Sequence, residues 1–94
     1  MTNRLYYTDP YCRTFNATVS RAFEHEGRPA VTLDRTAFYP SSGGQLFDTG
    51  RLGSARVVET VDADGDVIHV LSAALAAGVA VTGEIDWTRR FDHM

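Results

Sequence analysis

The 94-residue sequence contains a single cysteine, Cys12. One cysteine excludes an internal disulfide and an all-cysteine metal site, so the fold must rest on its hydrophobic core. The longest apolar run, residues 73–81 with its glycine included, is about half the roughly 18 to 20 residues that a membrane span requires. Asp9 and Pro10 stand where an export signal would place its apolar centre. We therefore expect a cytoplasmic protein with no membrane partner.

Positive charge is also scarce. All nine basic residues are arginine, twelve acidic residues outnumber them, and the formal net charge is −3. A domain that grips a nucleic-acid backbone by itself normally carries a positive face. The longest basic stretch is Arg89-Arg90, so the chain alone is not expected to bind nucleic acid in that way.

Residues with branched Cβ atoms are abundant, and they favour extended backbone. In residues 14–25, Phe15, Ala17 and Val19 alternate with polar residues, as in a half-buried strand. Arg21 interrupts this inward row. Residues 26–29 supply a turn, after which residues 30–35 return, so the two segments predict a hairpin in which Phe15 and Val31 share a core.

A second hairpin is predicted from residues 55–62 and 67–71, which are joined by a run of turn-forming residues. Residues 72–77 predict one short helical turn, and residues 79–85 predict a last strand. Asp86 is suited to cap a helix that begins at Trp87. We therefore expect an all-β fold, a small antiparallel barrel over residues 1–86, followed by a helix stub over residues 87–94. A barrel is preferred to a sandwich because it leaves no open sheet edges.

The segment from Thr36 to Gln45 combines two aromatic residues and a proline with the pair Gly43-Gly44. The aromatic residues and the proline stiffen the backbone, and the glycines allow main chain to approach a ligand closely. On composition alone a structural interpretation is preferred. In that case the segment is a long loop whose aromatic rings fill one end of the core and whose glycines only turn the chain.

The three histidines are too far apart in sequence to form a metal-binding pair. His69 lies between Ile68 and Val70 and is interpreted as an outward-facing strand residue. Cys12 is interpreted as a small core residue, since no sequence neighbour would activate its thiol. Composition and spacing thus predict a β module without a catalytic set or a metal site of its own.

Three stretches of the sequence resemble the N-terminal part of the AlaX-type alanyl-tRNA editing proteins, which are similar to the editing region of alanyl-tRNA synthetase. They are LYYTDPY in residues 5–11 with the strand that follows, LDRTAFYP with GGQ in residues 33–45, and GEIDWTRRFDHM in residues 83–94. The resemblance covers nearly the whole chain. It implies a β-barrel of the translation-protein type joined to a zinc-binding α/β domain.

The resemblance also implies a function. The family hydrolyses the ester that joins serine, and in some members glycine, to the tRNA for alanine. Thr36 matches the threonine that hydrogen-bonds the serine hydroxyl, and Gly43, Gly44 and Gln45 match the loop that lines the cleft near the aminoacyl end. The zinc-binding HxxxH motif would begin a few residues beyond Met94, so no metal ligand is expected in this chain, and zinc is expected in the parent protein.

The sequence is thus interpreted as the substrate-discriminating barrel of a trans-editing deacylase, inactive alone. Its expected partners are the acceptor end of mischarged tRNA(Ala) and its own zinc domain. The face that would cover the zinc domain is expected to promote a homodimer or aggregation when bared. Two alternatives stay open: a stand-alone barrel that binds tRNA or a protein without hydrolysis, and a fragment of alanyl-tRNA synthetase itself. The second is disfavoured here because Met1 lies so close to the barrel.

Overall fold

The alternating pattern that begins at Thr14 produces a long strand, and five further strands close with it into a barrel. The computed structural model describes residues 3–5, 13–40, 48–63 and 66–86. The strands are β1 Asn3–Arg4, β2 Thr14–His25, β3 Arg28–Leu33, β4 Arg35–Thr36, β5 Gly50–Leu52, β6 Ala55–Ala63, β7 Asp66–Leu71 and β8 Ala80–Ile85.

The barrel has the strand order β2-β3-β7-β6-β5-β8, and every neighbouring pair in it is antiparallel. Outside it, β1 pairs in parallel with β4. The predicted all-β barrel is confirmed, with both predicted hairpins present as β2–β3 and β6–β7. No helix in the described part of the chain has the length and hydropathy to cross a membrane.

Strand β2 pairs with two different strands along its length. Its first half, from Thr14 to Thr18, pairs with β8, and its second half, from Val19 onward, pairs with β3. A bulge between Val19 and Arg21 shifts the register there. The inward row therefore ends at the predicted place, because an extra residue at a bulge changes which face the following side chains occupy.

A two-residue loop joins β2 to β3. Glu26 has φ of 53° and Gly27 has φ of 80°, and both values are positive, as a type I′ turn requires. This turn matches the right-handed twist of the flanking strands. The predicted hairpin thus has a tighter loop than residues 26–29, since Arg28 already belongs to β3.

The core fills the barrel and includes residues from the segment after β4. Phe15 and Val31 lie in the same cluster, as predicted. Gly83 of β8 leaves room for the Phe15 ring, because a Cβ there would stand only 2.5 Å from two of the ring carbons. The buried cluster consists of Phe15, Ala17, Val19, Val31, Leu33, Ala37, Phe38, Leu52, Ala55, Val57, Leu71, Val81 and Ile85.

The connection before β8 differs from the prediction. Residues 72–77 form bends and the start of a turn instead of a helical turn. The amide of Gly78 donates to the Val19 carbonyl at 2.8 Å, so this connection is bonded to β2, and within it only the longer bond of 3.4 Å from the Val79 amide to the Ala76 carbonyl is seen among the described residues. The predicted helix stub, residues 87–94, lies outside the described residues, and the proposed boundary at residue 86 stays a prediction.

Candidate functional site

The two residues before Thr36 are hydrogen-bonded to the backbone of the first half of β2. The Asp34 amide donates to the Thr18 carbonyl at 3.0 Å, and the Thr18 amide donates to Asp34 Oδ1 at 2.8 Å. Arg35 Nε donates to the Asn16 carbonyl at 2.6 Å. Asp34 and Arg35 are both exposed. The chain then turns back towards the barrel interior, where the Thr36 side chain is fully buried.

The Thr36 hydroxyl has two partners in the barrel interior. The Phe38 amide donates to Thr36 Oγ1 at 3.0 Å, a local bond that turns the chain just after β4. His69 Nε2, on β7, lies 2.8 Å from the same oxygen. The two residues are 33 positions apart in sequence, and both are completely buried.

The protonation of His69 follows from its other ring nitrogen. Nδ1 lies 3.2 Å from the Val31 carbonyl oxygen. A carbonyl can only accept, so Nδ1 carries a proton. Burial lowers the pKa of His69 to about 4, although backbone hydrogen bonds at Val31 and Val67 oppose the shift. The ring is therefore neutral near pH 7, Nε2 is an acceptor, and the Thr36 hydroxyl donates its hydrogen to His69.

Phe38 closes the core beside this pair. Its ring is fully buried and meets the Phe15 ring edge to face at a centroid distance of 5.7 Å. It meets the His69 ring in the same manner at 5.5 Å. Edge-to-face pairs of this kind are favourable beyond the area that they bury. The first part of the segment is thus core, as the structural interpretation predicted, while Tyr39 lies partly exposed.

A pair of hydrogen bonds closes the base of the loop that follows. The Tyr39 amide donates to Asp48 Oδ2 at 2.8 Å, and the Asp48 amide donates to the Tyr39 carbonyl at 2.9 Å. Thr60 Oγ1 donates to the Asp48 carbonyl at 2.8 Å, which ties this closure to β6. Gly43, Gly44 and Gln45 stand between Tyr39 and Asp48 in sequence but lie outside the described residues, so their predicted substrate contacts stay predictions.

The interpretation of His69 as an outward-facing residue is wrong. His69 shares a face of β7 with Val67 and Leu71, which are both buried. Ile68 and Val70 are apolar as well, so hydropathy did not distinguish the two faces of this strand. The closure by Asp48 was also missed, and its sequence carries no distinct signal, since a lone aspartate between loop and strand is a common turn residue.

Three arginines line a groove on the outer surface of the barrel, which has a volume of about 930 Å³. Arg51 on β5 lies directly opposite Arg56 on β6, and Arg13 lines the groove near them. Within the described residues, neither Arg51 nor Arg56 forms an ion pair. Glu84 and Asp86 also line the groove. Their negative charges partly offset the positive charge of the three arginines.

The chain matches the model of the tRNA synthetases of class II (A) over residues 6–89. It belongs to this family. It is 42% identical over 107 residues to the alanyl-tRNA editing protein AlaX-M of Methanosarcina mazei, covering 100% of this chain and 41% of that protein. It is 42% identical over 97 residues to the alanine–tRNA ligase of Ignicoccus hospitalis, covering 99% of this chain and 10% of that ligase.

These relatives confirm the resemblance to alanyl-tRNA editing proteins and to alanyl-tRNA synthetases. The alanine–tRNA ligase of Metallosphaera sedula is 43% identical over 99 residues, again covering 10% of the ligase. This class II (A) synthetase family member thus spans less than half the length of the editing protein that it matches and a tenth of the ligases.

The zinc ion that the resemblance implies does not fit the described residues. Both ring nitrogens of His69 are engaged inside the core. His25 lies at the far end of the β2–β3 hairpin, with its Nε2 about 4.0 Å from Glu26. Among the residues that the structure describes, no group of three or more His, Cys, Asp or Glu side chains could hold a metal ion. Cys12 and His93 lie outside them.

Proposed function

We propose that this barrel forms the amino-acid-discriminating side of a cleft in which mischarged Ser-tRNA(Ala), and in some cases Gly-tRNA(Ala), is hydrolysed. Serine exceeds alanine by one hydroxyl, and an apolar pocket rejects an added hydroxyl poorly. A site that hydrogen-bonds this hydroxyl separates the two amino acids far better. The barrel is proposed to supply that hydrogen bond, while ester cleavage belongs to the family's zinc-binding region.

The observation that supports this proposal is the fixed hydroxyl of Thr36. It stands at the start of the segment that resembles the editing proteins, and His69 and the Phe38 amide hold it in one orientation. A hydroxyl with a defined orientation can distinguish a polar from an apolar ligand. Because Thr36 is fully buried, the proposal requires that Oγ1 becomes accessible when the aminoacyl end binds.

The loop closed by Tyr39 and Asp48 is proposed to complete the same side of the cleft. Gly43 and Gly44 would allow backbone to approach the aminoacyl end, and the Gln45 amide would supply a polar contact. The acceptor end of mischarged tRNA(Ala) and the zinc-binding region are then its partners. The roles proposed for these loop residues and the two proposed partners rest on the resemblance over residues 36–45.

A chimera tests this function directly. The chain replaces the aligned segment of the Methanosarcina mazei protein, whose own hydrolysis of Ser-tRNA(Ala) and Ala-tRNA(Ala) is measured first as the reference. The chimera should hydrolyse Ser-tRNA(Ala) in preference to Ala-tRNA(Ala), and the 94-residue chain alone should hydrolyse neither. A folded chimera that hydrolyses both substrates equally would contradict the discriminating role of the barrel. Hydrolysis by the 94-residue chain alone would contradict the proposal that ester cleavage belongs to the zinc-binding region.

A barrel that binds RNA without hydrolysis is the second candidate, because Arg51 and Arg56 stand together on the surface. Phosphate groups would relieve the repulsion between these neighbouring guanidinium groups. This candidate predicts that the chain binds uncharged and mischarged tRNA equally well. A fragment of alanyl-tRNA synthetase is equally compatible with the relatives, since the identity to the ligases matches the identity to the editing protein.

The isolated chain is also proposed to self-associate through the face that would cover the zinc-binding region. Tyr39, which is hydrogen-bonded to Asp48, is 38% exposed, and it is proposed to belong to this face. Exposed apolar area of this kind promotes association. Light scattering over a range of concentrations should show a rising mass, and a strict monomer at high concentration would contradict the proposal.

A further inference from the structure

The hydrogen bond between Thr36 and His69 has a direction, and the direction is set by a third residue. The Val31 carbonyl accepts from Nδ1 of His69, which leaves Nε2 of the neutral ring as an acceptor. The only hydrogen of the Thr36 hydroxyl is therefore donated into the core. A hydroxyl has one hydrogen and two lone pairs, and the Phe38 amide occupies one of these lone pairs.

We infer that His69 is a positioning residue that makes Thr36 an acceptor, so that any side chain selected through this hydroxyl must donate a hydrogen bond to it. This inference rests on the proposed function of Thr36 and goes beyond it, because it names the chemistry that is selected. Serine satisfies the requirement through its hydroxyl hydrogen. Alanine does not, and neither does a side chain of similar size that carries only lone pairs.

The surroundings of His69 stabilise the arrangement in which Thr36 donates its hydrogen bond to His69. The ring is completely buried, and the edge-to-face contact with Phe38 restrains its plane. Reversal of the bond would need a proton on Nε2 and none on Nδ1, which would place a lone pair against the Val31 carbonyl oxygen. That arrangement loses one hydrogen bond inside a dry core and adds a repulsion.

The first test reads the proton positions without any substrate. Long-range proton–nitrogen NMR spectra of the 94-residue chain, labelled at histidine, should show His69 with a hydrogen on Nδ1 and none on Nε2 at pH 7. His25 serves as an internal reference, because it is only partly buried. A hydrogen on Nε2 of His69, alone or together with one on Nδ1, overturns the inference.

The second test uses side chains of opposite hydrogen-bonding character in the chimera described above. 2,3-Diaminopropionyl-tRNA carries a protonated amine that donates, and 3-fluoroalanyl-tRNA carries a fluorine that has no hydrogen to donate. The first should be hydrolysed like Ser-tRNA(Ala), and the second should be treated like Ala-tRNA(Ala). Any other pattern overturns the inference.

Substitutions at His69 provide the third test. His69→Phe keeps the ring and removes the acceptor, whereas His69→Gln keeps an amide oxygen that can accept. His69→Phe should lower hydrolysis of Ser-tRNA(Ala) about tenfold, the effect of one hydrogen bond, and lower the slow hydrolysis of Ala-tRNA(Ala) by a smaller factor. His69→Gln should restore part of the loss. Equal losses on both substrates in folded variants would show that His69 has only a structural role.

The outcomes separate this inference from the proposed function. If Thr36→Val leaves discrimination unchanged, the function proposed for Thr36 fails whatever the NMR spectra show. If Thr36→Val abolishes discrimination but the fluorinated substrate is preferred to the diamino substrate, only the direction assigned to the bond fails.

Discussion

Tyr39 and Asp48 close the base of the loop between β4 and β5 through two hydrogen bonds of 2.8 and 2.9 Å. One of these bonds uses the Asp48 carboxylate and the other uses backbone on both sides. The carboxylate is fully buried, so its bond forms in a dry environment, where hydrogen bonds are stronger. These bonds hold together the two residues, Tyr39 and Asp48, that flank Gly43, Gly44 and Gln45 in sequence.

Asp48→Ala should therefore loosen the loop and lower the free energy of unfolding by about 1–3 kcal/mol, the usual cost when a buried partner is lost. Hydrogen exchange at the Tyr39 amide should accelerate more than exchange in β2. Asp34→Ala is the matched control, since Asp34 also accepts from a backbone amide but is exposed. Equal effects of the two substitutions would contradict the assignment of Asp48 as a loop closure.

The buried His69 predicts a characteristic pH dependence of stability. Its pKa is about 4 in the folded chain and 6.5 without the shift. The unfolded chain thus binds a proton as the pH falls through 6.5, whereas the folded chain binds it only near 4. The free energy of unfolding should fall between these values by about 3 kcal/mol, at roughly 1.4 kcal/mol per pKa unit, and this contribution should level off below pH 4.

Urea denaturation at a series of pH values measures this contribution as the difference between the native chain and His69→Gln. The difference should depend on pH in the window from 6.5 to 4. A His69→Gln variant with the same pH profile as the native chain would show that His69 is not the group responsible.

Most of the barrel could be predicted from the sequence, and Thr36 was named through the resemblance, but the contact of Thr36 with His69 could not be predicted. Strand β2 was predicted at its observed bounds because Phe15, Ala17 and Val19 alternate with polar residues. In β7 both faces are apolar, so the pattern did not show that His69 lies inside. The histidine partner of Thr36 comes from a strand 33 residues away, and such a pairing depends on the closure of the barrel.

Gly83 provides a test of the packing that closes β2 against β8. Because a Cβ at Gly83 would overlap the Phe15 ring, Gly83→Ala should lower the free energy of unfolding by about 1–3 kcal/mol, as overpacking usually does. Thermal unfolding measures the loss. Combination with Phe15→Leu makes room for the methyl group, so the double variant should lose less stability than the sum of the single variants. Strict additivity would contradict the contact.

The arginine groove predicts a contribution to RNA affinity that does not depend on the attached amino acid. Arg51→Ala with Arg56→Ala should weaken tRNA binding by the chimera and reduce the salt dependence of affinity by about one to two phosphate contacts, at roughly 0.7 to 0.9 per contact. Arg28→Ala is the control, because Arg28 is already paired with Glu59 at 2.7 Å. An unchanged salt dependence in the double variant would exclude the groove from RNA binding.

The most direct test of the account is the ratio of the rates at which the chimera hydrolyses Ser-tRNA(Ala) and Ala-tRNA(Ala), compared between Thr36 and Thr36→Val. Valine keeps the shape of threonine and removes its hydroxyl, so any change in the ratio reports the hydrogen bond. We expect the ratio to fall by about tenfold or more, because hydrolysis of Ser-tRNA(Ala) slows while that of Ala-tRNA(Ala) does not. An unchanged ratio in a folded Thr36→Val chimera would contradict it.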